Sequence, residues 1–458
     1  MRRRTLYITA LLATIFLVLL LAATLATRGT RASPGTTLYV STDPNCAGHD
    51  PCYTNVQDAL DAATTDDQIL VATGVYTDPA GTVAEITETI TLRGGWNANF
   101  TIPQPDPEAY PTTLDAQGSG RVIEITGNIS PTIDGFIITG GNADTEALDA
   151  GRGGGIYSKF AAPIIQNNVI TDNIANTANV GYGGGLYLVY ASASALINNN
   201  QILSNTASTS NVGQGGGLYL LYSEATLIGN AINNNTASTV SGGAGGGLAV
   251  KVSEATLDSN RIISNTAPGA GGGLHVSGSA PFTLTNNIIA QNETNGVAGG
   301  IFFSGALDFP TTGALINNTI AQNKGGSGEG VYASGTTTLT LTNNIVVSHT
   351  YGIYVSGSAT VTADYTLFFG NTSGATYGTI VNNNPVSGNP LFVGPSAWDY
   401  HIQVASPAVN KGTFTGAPAT DFEGDARPYD CFIDIGADEN TASDYCKRIY
   451  LPLILKNY

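Results

Sequence analysis

Charge is scarce in this chain. Only 11% of its 458 residues are charged, and 17 basic residues face 34 acidic ones, a net charge of −17. Such a balance argues against nucleic acid or an anionic surface as a partner. Cysteine is scarcer still: four residues, no CxxC pair and no cluster around the four histidines, which argues against a zinc-type site. Beyond the first residues, apolar runs long enough for a helix are missing as well. The apolar pieces are three to five residues long, as in Leu186-Tyr187-Leu188, Ala195-Leu196-Ile197 and Gln201-Ile202-Leu203, and they alternate with period two. A helical body is thereby excluded.

Glycine is what the chain has instead, 57 of them. The stretch Gly183-Gly184-Gly185-Leu186-Tyr187-Leu188 has counterparts at 153–157, 215–220, 245–250 and 271–276, with weaker copies at 299–302, 330–332 and 352–354. The last glycines lie 22 to 32 residues apart. Asparagines follow each copy in fixed order: Asn167-Asn168, Asn198-Asn199-Asn200, Asn230, Asn260, Asn286-Asn287, Asn317-Asn318 and Asn343-Asn344. A further asparagine sits five residues beyond, at 173, 205, 235, 265, 292 and 323. Landmarks repeated at this period define a solenoid. Three short strands per repeat, each stacked on its counterpart in the next, predict an all-β parallel β-helix of triangular section. Asparagine tolerates the left-handed conformation at the corners. Stacked asparagines can also bond one another up the column, at about 4.8 Å per step.

The ends read differently. Arg2-Arg3-Arg4 precede an apolar run from Leu6 to Ala26, so residues 1–32 read as a secretory signal peptide or an N-terminal anchor. Removing them leaves 12 basic against 34 acidic residues, net −22. Cys46 with Cys52, and Cys431 with Cys446, are the simplest disulfide pairings in an oxidising compartment. Residues 33–76 read as an N-terminal cap: strands at Leu38–Val40 and Gln68–Ala72 flank an amphipathic helix over 55–63 with Asn55 as its N-cap. The solenoid follows over 77–388, then a C-terminal cap over 389–440 and an apolar tail over 441–458, where Pro452 and brevity count against a membrane span.

These landmarks carry a resemblance. The order LYVS, NVQDALDAA, GVYTD, TLRGGW, TTLDAQGSGRVIEI and IDGFIITGG resembles secreted bacterial right-handed parallel β-helix proteins of the pectin-lyase-like superfamily. The GGGLYL and NN repeats are similar to those of polymorphic outer-membrane and autotransporter-type proteins. Asn389 to Phe392, Tyr400 to Ile402, Ser406 to Val409, Asp421 to Pro428 and Asp434 to Glu439 resemble the choice-of-anchor Q module. The resemblance implies one right-handed β-helix, an exported bacterial protein that is secreted or displayed at the cell surface. It says little about activity.

Chemistry is harder to find. Enzymes on this fold use clustered carboxylates with a Lys or Arg on one strand face, often around Ca²⁺. Between residues 151 and 380 there are eight acids: Asp172, Glu224, Glu254, Asp258, Glu293, Asp308, Glu329 and Asp364. Only Glu224 and Glu254 occupy equivalent positions, and His275 and His349 fall in different strands. No acid–base pair is readable. The pattern that does emerge lies one residue past the inward Ile156, Leu186, Leu218, Leu248 and Leu274. Those outward positions are Tyr157, Tyr187, Tyr219, Ala249, His275, Phe302, Tyr332 and Tyr354. With Lys159 and Lys251 beside it, this aromatic column could stack against sugar rings; equally, it could stack on itself and stiffen the sheet. At the other end Asp421, Glu423, Asp425 and Asp434 could hold Ca²⁺, the one cofactor the sequence suggests. The alternative is a cap in which Arg427 pairs with one or two of the carboxylates around it, which also include Asp438 and Glu439.

The reading that follows is a monomeric secreted or surface β-helix protein that binds or scaffolds, with extracellular or cell-wall polysaccharide as its partner. The membrane enters only through the N-terminal segment or the tail. A polysaccharide lyase or glycoside hydrolase of the same superfamily is the alternative.

Overall fold

In the computed structural model, residues 35–442 are described, apart from 80, 146–148, 241 and 280. The segment read as a signal or anchor, residues 1–32, and the tail beyond 442 lie outside the described residues. A right-handed parallel β-solenoid of about ten turns fills most of the chain.

Its walls are three parallel sheets of 14, 12 and 11 strands, called A, B and C here, each formed by stacking one strand per coil. The repeat expected at 186–203 is realised as Leu186–Val189 in sheet C, Ala195–Asn198 in sheet A and Gln201–Leu203 in sheet B. Pairing is in register from coil to coil: Leu186 stands between Ile156 and Leu218, and Ile202 between Ile170 and Ile232. Inward positions are mostly aliphatic and sealed, Leu186, Leu218, Leu248 and Leu274 all having no exposed surface. They form one continuous core along the axis.

Two asparagine columns set the register. In the first, Asn168, Asn200, Asn230, Asn260, Asn287 and Asn318 each donate from Nδ2 to the Oδ1 of the next, ending on Asn344, at 2.9–3.1 Å. The second column runs Asn173, Asn205, Asn235, Asn265, Asn292 and Asn323 in the same way. Every rung is buried, and each Nδ2 also donates to an inward-strand carbonyl, as Asn205 does to Ile170. Buried amides are thus fully used, which is the condition under which they stabilise rather than cost. The residue before each first-column rung takes the corner, an asparagine in most coils, with φ of +54° at Asn167 and +53° at Asn199, but glycine at 229 and serine at 259.

Glycine enters beside the second column. A Cβ on Gly185 would stand 2.9 Å from Asn205 Nδ2, and Gly183 has φ +61°. The glycine triplet exists so that the backbone can pass against the ladder and turn into sheet C.

At the N-terminal end Thr37–Val40 and Gln68–Ala72 pair in parallel and continue directly into sheet A. The helix Val56–Ala62, α1, is capped by Asn55, whose side chain accepts from the Gln57 N–H, and buries Val56, Ala59 and Leu60 against the core. The expected disulfide Cys46–Cys52 is formed, with Cα atoms 5.7 Å apart. No described cysteine is free; Cys446 lies outside the described residues.

The C-terminal module, 389–440, lies along the flank of the solenoid. Tyr400, Ile402, Ala408, Ile435 and Ala437 pack on Ile263, Ile288, Ala290, Ala321, Ile345, Val347 and Leu367, outward positions of sheet B. Asn317 donates to the Asp434 and Gly436 carbonyls, and Asn343 to that of Thr413. The edge strand of the last coil, Ile380–Asn383, is instead largely exposed among the described residues. Sequence patterning places this module last in the chain, and the apolar outward residues from Ile263 onward show which coils it covers.

Candidate functional site

The outward column of sheet C is in register as expected, from Tyr157 through Tyr187, Tyr219, Ala249, His275, Phe302, Tyr332 and Tyr354. Its two halves differ in accessibility. Tyr157, Tyr187 and Tyr219 are only 1–2% exposed, so the sequence expectation of a ligand-facing strip fails for them. Their rings stack at 5.7 and 5.4 Å, nearly parallel, and Tyr182 from the overlying loop packs on Tyr219 at 5.3 Å. Burial pushes the Tyr187 hydroxyl up to about 12.

Below that stack sits a cluster of paired charges. Asp149 accepts from the Tyr157 hydroxyl at 2.5 Å and from Lys159 Nζ at 2.9 Å, and pairs with Arg152. Arg121 lies 4.3 Å over the Tyr157 ring and pairs with Glu124 at 2.7 Å. Partial burial would raise the Asp149 carboxyl, but the hydrogen bonds from Tyr157 and Lys159 and the charge of Arg152 outweigh it and hold it low. Lys159, expected to flank a ligand, is thus committed to an ion pair; Lys251 is exposed.

The loops explain the burial. Eleven residues separate Asn173 from Gly185, Asn205 from Gly217 and Asn235 from Gly247. Those loops carry an additional strand each, Ile174–Asn176, Thr206–Ser208 and Thr236–Ser238, stacked into a fourth sheet. The interval falls to seven residues after Asn265 and Asn292, six after Asn323 and two after His349.

Where the loops shorten, the column opens. His275 stacks on Phe302 at 5.3 Å, Phe302 meets Tyr332 at 5.2 Å, and Tyr332 meets Tyr354 edge-on at 4.8 Å. Tyr377, next in register, stacks on Tyr354 at 4.4 Å, and Tyr351 contacts both. Around these rings is a groove of about 420 Å³ lined by Val297, Ser327, Glu329, Tyr332, Tyr351, Tyr354 and Tyr377. Glu329 is buried; its Oε2 accepts from the Ala298 N–H at 2.9 Å and the Ser327 hydroxyl at 2.7 Å. Tyr351, Tyr377 and Glu329 escaped sequence reasoning, although the shrinking interval before Gly330 and Gly352 signals where the face is uncovered. His275, at the head of this half, has its imidazole pulled down to about 4 by desolvation and by Lys251.

The acidic pair Glu224 and Glu254 is in register on sheet A, exposed, away from the aromatic face. A larger groove of about 610 Å³ runs between sheet B and the C-terminal module, with Glu293 and Lys324 paired at 3.4 Å in its wall.

In the C-terminal module the calcium candidates are occupied by backbone. Asp421 Oδ1 accepts from the N–H groups of Glu423, Gly424 and Asp425, each at 2.9 Å, and its Oδ2 from that of Glu439. Asp434 accepts from the Asn410 and Asn440 N–H groups. Arg427, buried, bonds Glu439 at 3.0 Å and the carbonyls of Gly436 and Ala437. Glu423 and Asp425 are exposed. Among the described residues no group of three or more His, Cys, Asp or Glu is arranged to hold a metal ion. His401 stands between Asp399 at 2.6 Å and Glu423 at 2.9 Å; desolvation opposes its protonation, yet the two carboxylates raise it to about 9.

Comparison with known proteins bears on the fold. Residues 213–391 match the family model described as right handed beta helix region. Among solved structures, the pectate lyase Pel9A aligns over 89% of this chain and 97% of its own, with 13% identity and a TM-score of 0.44. An alginate lyase from Paenibacillus sp. str. FPU-7 aligns over 71% of this chain and 96% of its own, with 13% identity and a TM-score of 0.25. No curated protein matches the sequence. Among the described residues, no helix is long and apolar enough to cross a membrane.

Proposed function

We propose that this is an extracellular β-helix protein that binds a glycan in the tyrosine groove on the C-terminal half of sheet C. The observation that supports this reading is the convergence of Tyr332, Tyr351, Tyr354 and Tyr377 on one open groove. Elsewhere the same face is sealed by loops. Sugar rings present apolar C–H faces that pack on aromatic rings, with hydroxyls left for polar groups at the edge. The disulfide Cys46–Cys52 fits an oxidising compartment, and the excess of acid suits an exported, soluble chain.

The alternative, a lyase or hydrolase, has the Asp149–Lys159–Arg152 cluster as its best support. There both cations are already paired with the one carboxylate, whereas cleavage needs a base or acid free to act on the substrate.

Retention of the purified protein on insoluble polysaccharides, read beside release of soluble products, tests the proposal. Binding without product, lost in the double variant Tyr354→Ser, Tyr377→Ser, is the expected result. Equal retention of that variant would overturn it.

A further inference from the structure

The tyrosine groove contains one group that a neutral sugar does not explain. Glu329 is 1% exposed, yet it lines the groove together with the four tyrosines. Only its Oε2 is engaged, by the Ala298 N–H and the Ser327 hydroxyl. Among the described residues Oε1 receives no hydrogen bond, and no Lys, Arg or His forms an ion pair with this carboxylate. A carboxylate taken out of water without a counter-charge is costly, and a cationic ligand would offset that cost.

The rings around it have the matching property. The faces of aromatic rings carry negative potential and attract ammonium groups, the more so when the cation is desolvated. Among the described residues no cation stacks on these rings: the ring-stacked cations are Arg121 on Tyr157, Lys159 on Phe160 and Arg261 on Phe422. Four tyrosines and one buried acid thus line the groove, built at the point where the covering loops are shortest.

We infer that the groove recognises its glycan through an ammonium substituent, as on a de-N-acetylated amino sugar, with Glu329 as the counter-charge. This rests on the glycan-binding reading of the same groove and adds the charge of the ligand. An acidic polysaccharide is the class it disfavours, because Glu329 would repel it.

Titration calorimetry on the full-length protein separates the two ideas. Three probes are compared: oligomers of glucosamine, the same oligomers N-acetylated, and neutral β-linked glucose oligomers. The wild type should bind the glucosamine series at least about tenfold more tightly than the other two, the order expected for one desolvated cation–carboxylate contact. Glu329→Gln should bring all three to the same weak affinity, while Tyr377→Ser, at an exposed ring, should weaken all three together. Tetramethylammonium, added as competitor, should displace the glucosamine oligomer only weakly. Displacement at low concentration would instead identify a quaternary ammonium ligand and overturn the sugar assignment. If all three oligomers bind equally to the wild type, or Glu329→Gln leaves the preference intact, the ammonium inference fails and glycan binding stands. Should no oligomer bind, the groove reading itself is lost.

Discussion

Asn323 meets His349 at 3.2 Å, Nδ2 to Nε2, and there the second asparagine column is interrupted. His349 occupies the position that an asparagine holds in six preceding coils. Its backbone N–H still bonds the next rung, Asn371 Oδ1, at 3.1 Å, but its Nδ1 is buried without a partner. Desolvation pulls the imidazole down to about 3, against a weaker upward pull from Asn371.

The pH consequence has a definite sign. Between the unfolded value of 6.5 and the folded value of about 3, the unfolded chain binds a proton that the native chain refuses, so stability falls as pH drops through that window. His349→Asn restores the rung and removes this contribution. Melting midpoints of the two proteins should diverge as the pH is lowered from 7 to about 4. Parallel curves would show that the histidine is not the acid-sensitive group.

The stacked tyrosines should behave as core. Leu186→Ala and Tyr187→Ala are both expected to cost about 2–5 kcal/mol, since each removes a buried side chain and leaves a cavity. Tyr187→Ala should nevertheless leave polysaccharide retention unchanged once the protein is folded, unlike the Tyr354 and Tyr377 pair. Chemical denaturation gives the first quantity, and a loss near zero for Tyr187→Ala would mean that the covering loop does not seal the ring.

The C-terminal module has the opposite pH response to His349. His401 is raised to about 9 by Asp399 and Glu423 despite desolvation, so the stabilisation it provides is complete below the unfolded value of 6.5 and is lost as pH rises through about 9. Asp434, raised to about 7 by burial and by Glu439, acts in the same direction between its ordinary 3.8 and that value. Hydrogen exchange in 399–440 should therefore accelerate above pH ~8 beyond the intrinsic increase, relative to the solenoid. In His401→Gln the alkaline component should vanish.

How much of this was legible differs by level. The solenoid, its three sheets, the capped helix α1 and the inward leucines follow from spacing and alternation, because register repeats identically in every coil and any slip would expose the whole core face. The first disulfide and the Arg427-centred cap were also readable from local composition. What the residues of the aromatic column could not disclose was their exposure. Tyr187 and Tyr332 sit at equivalent points of equivalent motifs, and only the length of a distant loop decides that one is sealed and the other open. Glu329 was countable as one of eight acids, but its setting beside Tyr351 and Tyr377 depends on how three successive coils stack.

Those loop lengths act as shutters on a common surface. Sheet C presents an aromatic track along its whole C-terminal half and its buried N-terminal half alike, and an eleven-residue loop closes a window that a two-residue loop leaves open. A chain built this way can relocate or resize its binding face by insertion and deletion at corners, leaving every rung of the ladder and every inward leucine unchanged. For proteins of this architecture, the gaps between the motifs then carry the functional information that the motifs themselves do not.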